Sequence, residues 1–499
     1  MIMLKINLEK KHEISPYIYM QFLEPLSSAD PSVDIAWDYI NDCWKPMLLE
    51  KLTELNPTMI RFGGCFASYY HWKEGVGPRE KRPWMLNLHW DGAYSNQVGT
   101  DELVDLCRHT NAEPLVVVNT ESDGRMEWAY PKPGMDRFGT SEEAAEWIDY
   151  CNNPDNKLRK SHGIDKPYNI KWWQIGNETN YGYVPTYYGK DRMTDRTLCH
   201  GYNLDKAAEV TYRFAKEMHK ADPSVNLIAW GDPKNKETEN WATKMCETSG
   251  EYISHVAFHH HFGSGLPDSP LRGTDYRNDP DLTWHHLLNA CHSLDEKLTM
   301  LKEDIKPYGK RLAMTEGHFG VPGRNRNEVL STWGAGVAYA RLLNVIERHT
   351  DVLDIATMAD FFGNRWQVNA IMLYTQGDTR NAYLQPVGRV MSLFRHHIGK
   401  YALDVDFGEG IDATASLSAD GKKVYVHMAN LNRTLAKNVE IKIDGKEIKK
   451  ITAYEVACDS TTEITNLNPD VFNPVTSEIK GNTYTIGAAG VSALEIEID

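Results

Sequence analysis

The sequence predicts a (β/α)8 barrel followed by an antiparallel β-sandwich of jelly-roll type, on three observations. At 499 residues the chain exceeds one ordinary domain but suits a barrel of ~250 residues or more with a second module. From residue 17 to 374, short apolar runs alternate with longer segments of helical period, as when parallel strands are covered by helices. After about residue 396 a period of two takes over, and turn dipeptides recur at Asp420-Gly421, Asp444-Gly445 and Gly481-Asn482.

Eight apolar runs supply the strands: 17–22, 58–62, 114–119, 170–175, 226–230, 255–258, 311–315 and 369–374. Between them, Thr140 and Glu143 form a capping-box pattern opening a helix through Trp147 and Tyr150. Ala207, Val210, Phe214 and Met218 make one apolar stripe that stops at Asp222-Pro223, and Glu328 to His349 reads as a third long helix. In the second module Val424, Val426 and Met428 alternate with Tyr425 and His427, and Leu494, Ile496 and Ile498 repeat the pattern. Leu4, Ile6 and Leu8 alternate too. The expected organisation is therefore residues 1–15 as a strand joining the sandwich, 16–395 as the barrel and 396–499 as the sandwich.

Composition narrows the function. Hydrophobic residues at 41% and charged residues at 25% are those of a folded globular chain. The net charge of −15, without a Lys/Arg cluster, argues against nucleic acid as a partner. No run approaches the ~20 apolar residues of a membrane span, and the start has no apolar signal core, so a cytoplasmic location is expected. The eight cysteines are scattered without a CxxC, which suggests reduced thiols in place of a zinc ribbon or disulfide scaffold. Neither GxGxxG after the first strand nor GxxxxGK[ST] is present, and no cofactor or metal is expected.

A barrel of this kind carries its site at the C-terminal strand ends. There the sequence places Glu24, Gly63-Gly64-Cys65, Asn119, Asn177-Glu178, Asp232, His259 to His261, Glu316 and Gln376. Glu178 and Glu316, after runs four and seven, face each other across the mouth of such a barrel. One strand-end glutamate is as well explained by an arginine partner or a helix cap. Two of them, one following an Asn, match glycoside hydrolysis with retention, in which one carboxyl protonates the leaving oxygen and the other attacks the anomeric carbon. The acid of such a pair has to be kept protonated by burial and by its neighbour's charge. The tryptophans before Glu178 suit it to the acid role, and Asn177 is placed to hold a sugar 2-hydroxyl.

The segments 14–26, 60–83, 86–102 and 172–180 (WWQIGNETN) resemble the glycoside hydrolase family 51 α-L-arabinofuranosidases of clan A, most densely in the first half of the chain. The resemblance implies a retaining exo-hydrolase that releases terminal α-L-arabinofuranosyl residues, with Glu178 as acid/base and Glu316 as nucleophile. It also implies that Glu24, Arg61, Cys65 and Trp90 bind the sugar, that oligosaccharides or small glycosides are the substrates, and that a homo-oligomer is open. Two departures bear on specificity. The family's Asp-Glu-Trp-Asn is Thr315-Glu316-Gly317-His318 here, and its His-x-Tyr is His259-His260-His261, so that His261 stands where a tyrosine contacts the nucleophile. The alternatives are another clan A specificity (galactofuranose, xylose or glucose), a zinc site built from His259, His261, His318 and Asp232, and a carbohydrate-binding protein without catalysis.

Overall fold

The computed structural model describes residues 1–87, 89–90, 92–121, 137–180, 203–232, 240–321, 327–373 and 382–499. Seven parallel barrel strands follow the predicted order: Met20–Leu23, Met59–Phe62, Glu113–Val118, Trp172–Ile175, Asn226–Trp230, Ile253–Phe262 and Arg311–Phe319. Most of their residues are apolar and buried on both faces, which is why they read as apolar runs.

The eighth strand is not the expected one. The barrel closes through an interrupted strand whose first part, Leu353–Ala356, pairs with strand seven and whose second part, Asp360–Gly363, pairs with strand one. The run at 369–374 does form a strand, Asn369–Leu373, but it lies outside the ring, parallel to Asp360–Gly363 and antiparallel to Ala382–Leu384. The buried Asp30 carboxylate braces this corner, accepting from Asn364 N at 2.9 Å, Trp366 N at 3.1 Å and Asn369 Nδ2 at 2.8 Å.

The helices follow their caps. Ser141–Asn152 begins at Thr140, whose Oγ1 accepts from Glu143 N at 3.1 Å, and Leu204–Ala221 stops before Pro223. The third expected helix is a 3-10 turn, Glu328–Ser331, followed by the α-helix Trp333–Arg348, which Thr332 caps.

The C-terminal strands form one nine-stranded sheet. Strands from its two halves share a single core, Leu4, Ile6, Val439 and Ile441 packing with Val426, Met428, Leu494 and Ile496. Ile2–Asn7 enters between Tyr401–Phe407 and Lys437–Ile443, and its pairing with the latter is parallel. The sheet packs on helix Trp333–Arg348 through buried polar groups. Asp412 accepts from Arg341 Nε at 3.2 Å, Asn344 Nδ2 at 3.0 Å and Arg348 Nη1 at 2.9 Å, while Glu347 accepts from His427 Nδ1 at 2.7 Å and Tyr19 OH at 3.1 Å. Removing one member of a buried ionic set leaves the others uncompensated. With Arg348 partly solvated, Asp412→Ala is expected to cost about 2–3 kcal/mol in urea unfolding. A loss below about 0.5 kcal/mol would show that these groups are equally well served by water.

Candidate active site

The side chains of strands two, four, six and seven converge at the C-terminal mouth. Glu178 lies just past strand four, in a turn opened by Gly176 (φ 72°), where a Cβ would sit 2.5 Å from Thr120 Oγ1. Glu178 itself is held at φ 46°, a left-handed conformation that costs a non-glycine residue roughly 1–3 kcal/mol and recurs where a site imposes it. Glu316 stands within strand seven. One carboxylate oxygen from each glutamate and one ring nitrogen of His259 all lie within 4.8 Å of one another.

Arg61 organises this mouth from strand two. Its guanidinium, fully buried, donates from Nε to Gln174 Oε1 at 3.0 Å, from Nη1 to Glu316 Oε1 at 2.8 Å and from Nη2 to Asn177 Oδ1 at 2.6 Å. A planar fork of donors ties three strands to one plane, which an ammonium group does not do. Asn177 is thereby fixed with its oxygen on Arg61, and its Nδ2 approaches Cys65 Sγ at 3.7 Å. Cys65 Sγ in turn lies 3.7 Å from Glu178 Oε2.

His259 bridges the pair, with Nδ1 at 2.9 Å from Glu178 Oε1 and 3.5 Å from Glu316 Oε2. The structure thus puts His259 against Glu316 in the place expected for His261. Strand alternation sends His260 outward to Ser293 Oγ at 3.0 Å and leaves His261 exposed at the rim, its ring 4.6 Å from that of His318. Burial pushes His259 down to about 3, against the opposing pull of Glu316. The unfolded chain, with an ordinary histidine near 6.5, binds this proton and the folded chain does not, so His259 withdraws stability as the pH falls below about 6.5. Wild type is therefore expected to lose about 1 kcal/mol more than His259→Gln from about pH 6.5 to about pH 5.5 in denaturant titrations. Equal losses would place a charged imidazole in the native site.

The tryptophans of strand four do not shield Glu178. Trp172 packs on Tyr17 and His255, and Trp173 on Trp147, because both lie at the start of the strand. Trp230, from strand five, supplies the aromatic wall, its ring edge-on to His259 at 4.5 Å. Glu24 is buried beside the pair, accepting from Phe66 N at 2.8 Å and Trp90 Nε1 at 2.7 Å. Burial and then the charge of Glu316 hold its carboxyl well above the usual range. Gly64 (φ 107°) makes the approach possible, since a Cβ there would meet Glu24 Oε2 at 2.3 Å. Arg61 forms its ion pair with Glu316.

The proposed zinc set does not gather. Asp232 is paired with Lys297 and accepts from His259 N, and His318 Nδ1 donates to Phe319 O at 3.0 Å. Among the described residues, Glu178, His259 and Glu316 are the group spaced to hold a cation, and the Arg61 guanidinium already supplies positive charge at Glu316. Asn119 donates to Arg137 O, and Gln376 lies outside the described residues. Sequence reasoning missed Gln174 and Thr315. Both lie within apolar runs, where polarity itself was the available signal.

Comparison with known proteins follows the same lines. Residues 51–264 match the family model of the α-L-arabinofuranosidase 1 domain, and residues 317–492 that of the α-L-arabinofuranosidase C-terminal domain. A probable α-L-arabinofuranosidase C of Aspergillus niger is 32% identical over 87% of this chain and 85% of its own. An intracellular exo-α-(1→5)-L-arabinofuranosidase of Acetivibrio thermocellus is 30% identical over 52% of this chain and 47% of its own. The GH51 α-L-arabinofuranosidase structure from Thermotoga petrophila superposes with a TM-score of 0.80 over 100% of both chains at 23% identity.

Proposed function

The chain belongs to the α-L-arabinofuranosidases of glycoside hydrolase family 51, and on that premise we propose that it removes terminal α-L-arabinofuranosyl residues with retention of configuration, Glu316 being the nucleophile and Glu178 the acid/base. The observation that supports retention is the gap between the two carboxylates. With oxygens within 4.8 Å, the pair belongs to the retaining range near 5–5.5 Å, short of the ~6.5 Å or more that an inverting pair needs for an intervening water.

In the first step a Glu316 oxygen bonds to the anomeric carbon as the bond to the leaving oxygen breaks, and Glu178 passes its proton to that oxygen. In the second, water attacks the same carbon, Glu178 takes the water's proton, and the bond to Glu316 breaks. Arg61 fixes the direction of the Glu316 carboxylate through Oε1, leaving Oε2 towards the cleft and His259. Asn177, its oxygen occupied by Arg61 and one amide hydrogen directed at Cys65 Sγ, has the other for a sugar hydroxyl. Glu24, its carboxyl held well above the usual range by burial and by the charge of Glu316, borders the same pocket, which Trp90 and Cys65 also line. Short oligosaccharides and small glycosides fit an enzyme acting inside the cell, the location that the name of the Acetivibrio thermocellus relative gives for that protein.

Hydrolysis of a panel of nitrophenyl furanosides and pyranosides, followed by NMR of the first anomer released, tests the proposal. The α-L-arabinofuranoside is expected to be turned over fastest, with the α-anomer appearing first. A preferred pyranoside would move the chain to another clan A specificity, and a β-anomer would exclude the double displacement.

A further inference from the structure

Thr315 stands immediately before Glu316, yet both side chains reach the same imidazole: Thr315 Oγ1 lies 3.0 Å from His259 Nε2, while Glu316 Oε2 lies 3.5 Å from His259 Nδ1. Consecutive residues of a regular strand point to opposite faces. The ladder between strands six and seven explains the exception. Phe258 pairs with Met314 and His259 with Glu316, so that Thr315 is an extra residue, a bulge that re-aims side chains beside the site. Thr315 is wholly buried, and its hydroxyl meets the one ring nitrogen that faces away from the glutamates.

From this geometry we infer that Thr315 is a positioning residue: its hydroxyl donates to His259 Nε2 and so fixes the ring proton on Nδ1, aimed at the two carboxylates. This rests on the reading of Glu178 and Glu316 as the reacting pair and deepens it. A neutral imidazole has one N–H, and the hydrogen bond at the other nitrogen decides where that proton resides. The burial that keeps His259 uncharged makes this choice consequential. With the proton on Nδ1, the ring donates to Glu178 after it has given up its own proton, and it moderates the repulsion between two carboxylates that share so small a space. With the proton on Nε2, a bare lone pair would face both acids. The other charged groups around the ring are Arg61 on the far oxygen of Glu316, Asp232 at the His259 backbone N–H, Lys297 paired with Asp232, and His261 farther along the strand.

The test uses the whole protein, 15N-labelled at histidine, with His259→Gln to assign the resonances. In wild type the His259 ring nitrogens are expected to report the Nδ1–H tautomer across about pH 5 to 8. Thr315→Val, nearly isosteric but without a donor, should shift the ring towards Nε2–H or a mixture. It should also lower kcat by roughly 10–100-fold, with KM little changed and the pH–rate profile displaced, the scale on which partners that fix a histidine tautomer act. Thr315→Ser should restore the tautomer and most of kcat, a rescue that repacking alone would not give. An Nε2–H tautomer in wild type, or a Thr315→Val protein with unchanged tautomer and pH profile, would overturn the inference. Because the tautomer is read in the resting protein, these results stand apart from the fate of the catalytic assignment, which is decided by the activities of Glu316→Ala and Glu178→Ala and by the anomer released first. If Thr315→Val does not fold, wild type and Thr315→Ser still decide the tautomer.

Discussion

Glu316→Ala is expected to abolish turnover of every glycoside, by about 10⁴-fold or more, because no other group among the described residues is placed to capture the anomeric carbon. Glu178→Ala should behave differently. On natural substrates it should lose roughly 10²–10⁴-fold for want of a proton donor, but on nitrophenyl glycosides, whose leaving groups need little protonation, the first step should survive and a glycosyl-enzyme should accumulate. Azide, admitted to the space vacated beside Cys65 and His259, should then rescue Glu178→Ala with retained configuration. In Glu316→Ala any rescue should give inverted product, since the anion would occupy the opposite face. Exchange of the two phenotypes would exchange the roles. Removing the Glu316 carboxylate also strands the Arg61 guanidinium, so Glu316→Gln, which keeps an oxygen acceptor there, separates loss of chemistry from loss of fold.

The strands that carry both glutamates were legible because a parallel barrel strand buried on both faces reads as an apolar run ending at the site. The eighth strand was not, for the same reason inverted. Residues 353–363 are broken at Thr357-Met358-Ala359 and contain Asp354 and Asp360, while Asn369–Leu373, a strand outside the ring, is more evenly apolar. Within the site, residue type and strand position identified Asn177 and His259 as candidates and the family resemblance added Arg61, but neither showed their mutual bonds. Gln174 lies in mid-strand, and its polarity makes sense only once strand two brings Arg61 against it. The placing of His259, not His261, on Glu316 follows from an inserted residue between strands, and a bulge of that kind leaves no mark in a period-two pattern.

Arg61 is expected to be the most sensitive residue outside the reacting pair, because its removal acts on stability and on rate together. Arg61→Met leaves Glu316 without its counter-charge and Gln174 and Asn177 without their donor. Breaking a buried ionic partnership on one side costs about 3–5 kcal/mol, which chemical denaturation should register. Arg61→Lys keeps the charge but not the fork, and one ammonium cannot reach three acceptors held in a plane. It should therefore recover part of the stability while kcat stays roughly 10²-fold down, since Glu316 and Asn177 lose their common reference plane and misplacement by about 1 Å has that effect. A double-mutant cycle decides whether the ion pair is the cause. If Arg61 acts through Glu316, Arg61→Met combined with Glu316→Gln should be less destabilised than the sum of the single variants, because the stranded charge is gone from both sides. Strict additivity would mean that Arg61 serves the barrel through Gln174 and Asn177 alone, and that the orientation of the nucleophile is set elsewhere.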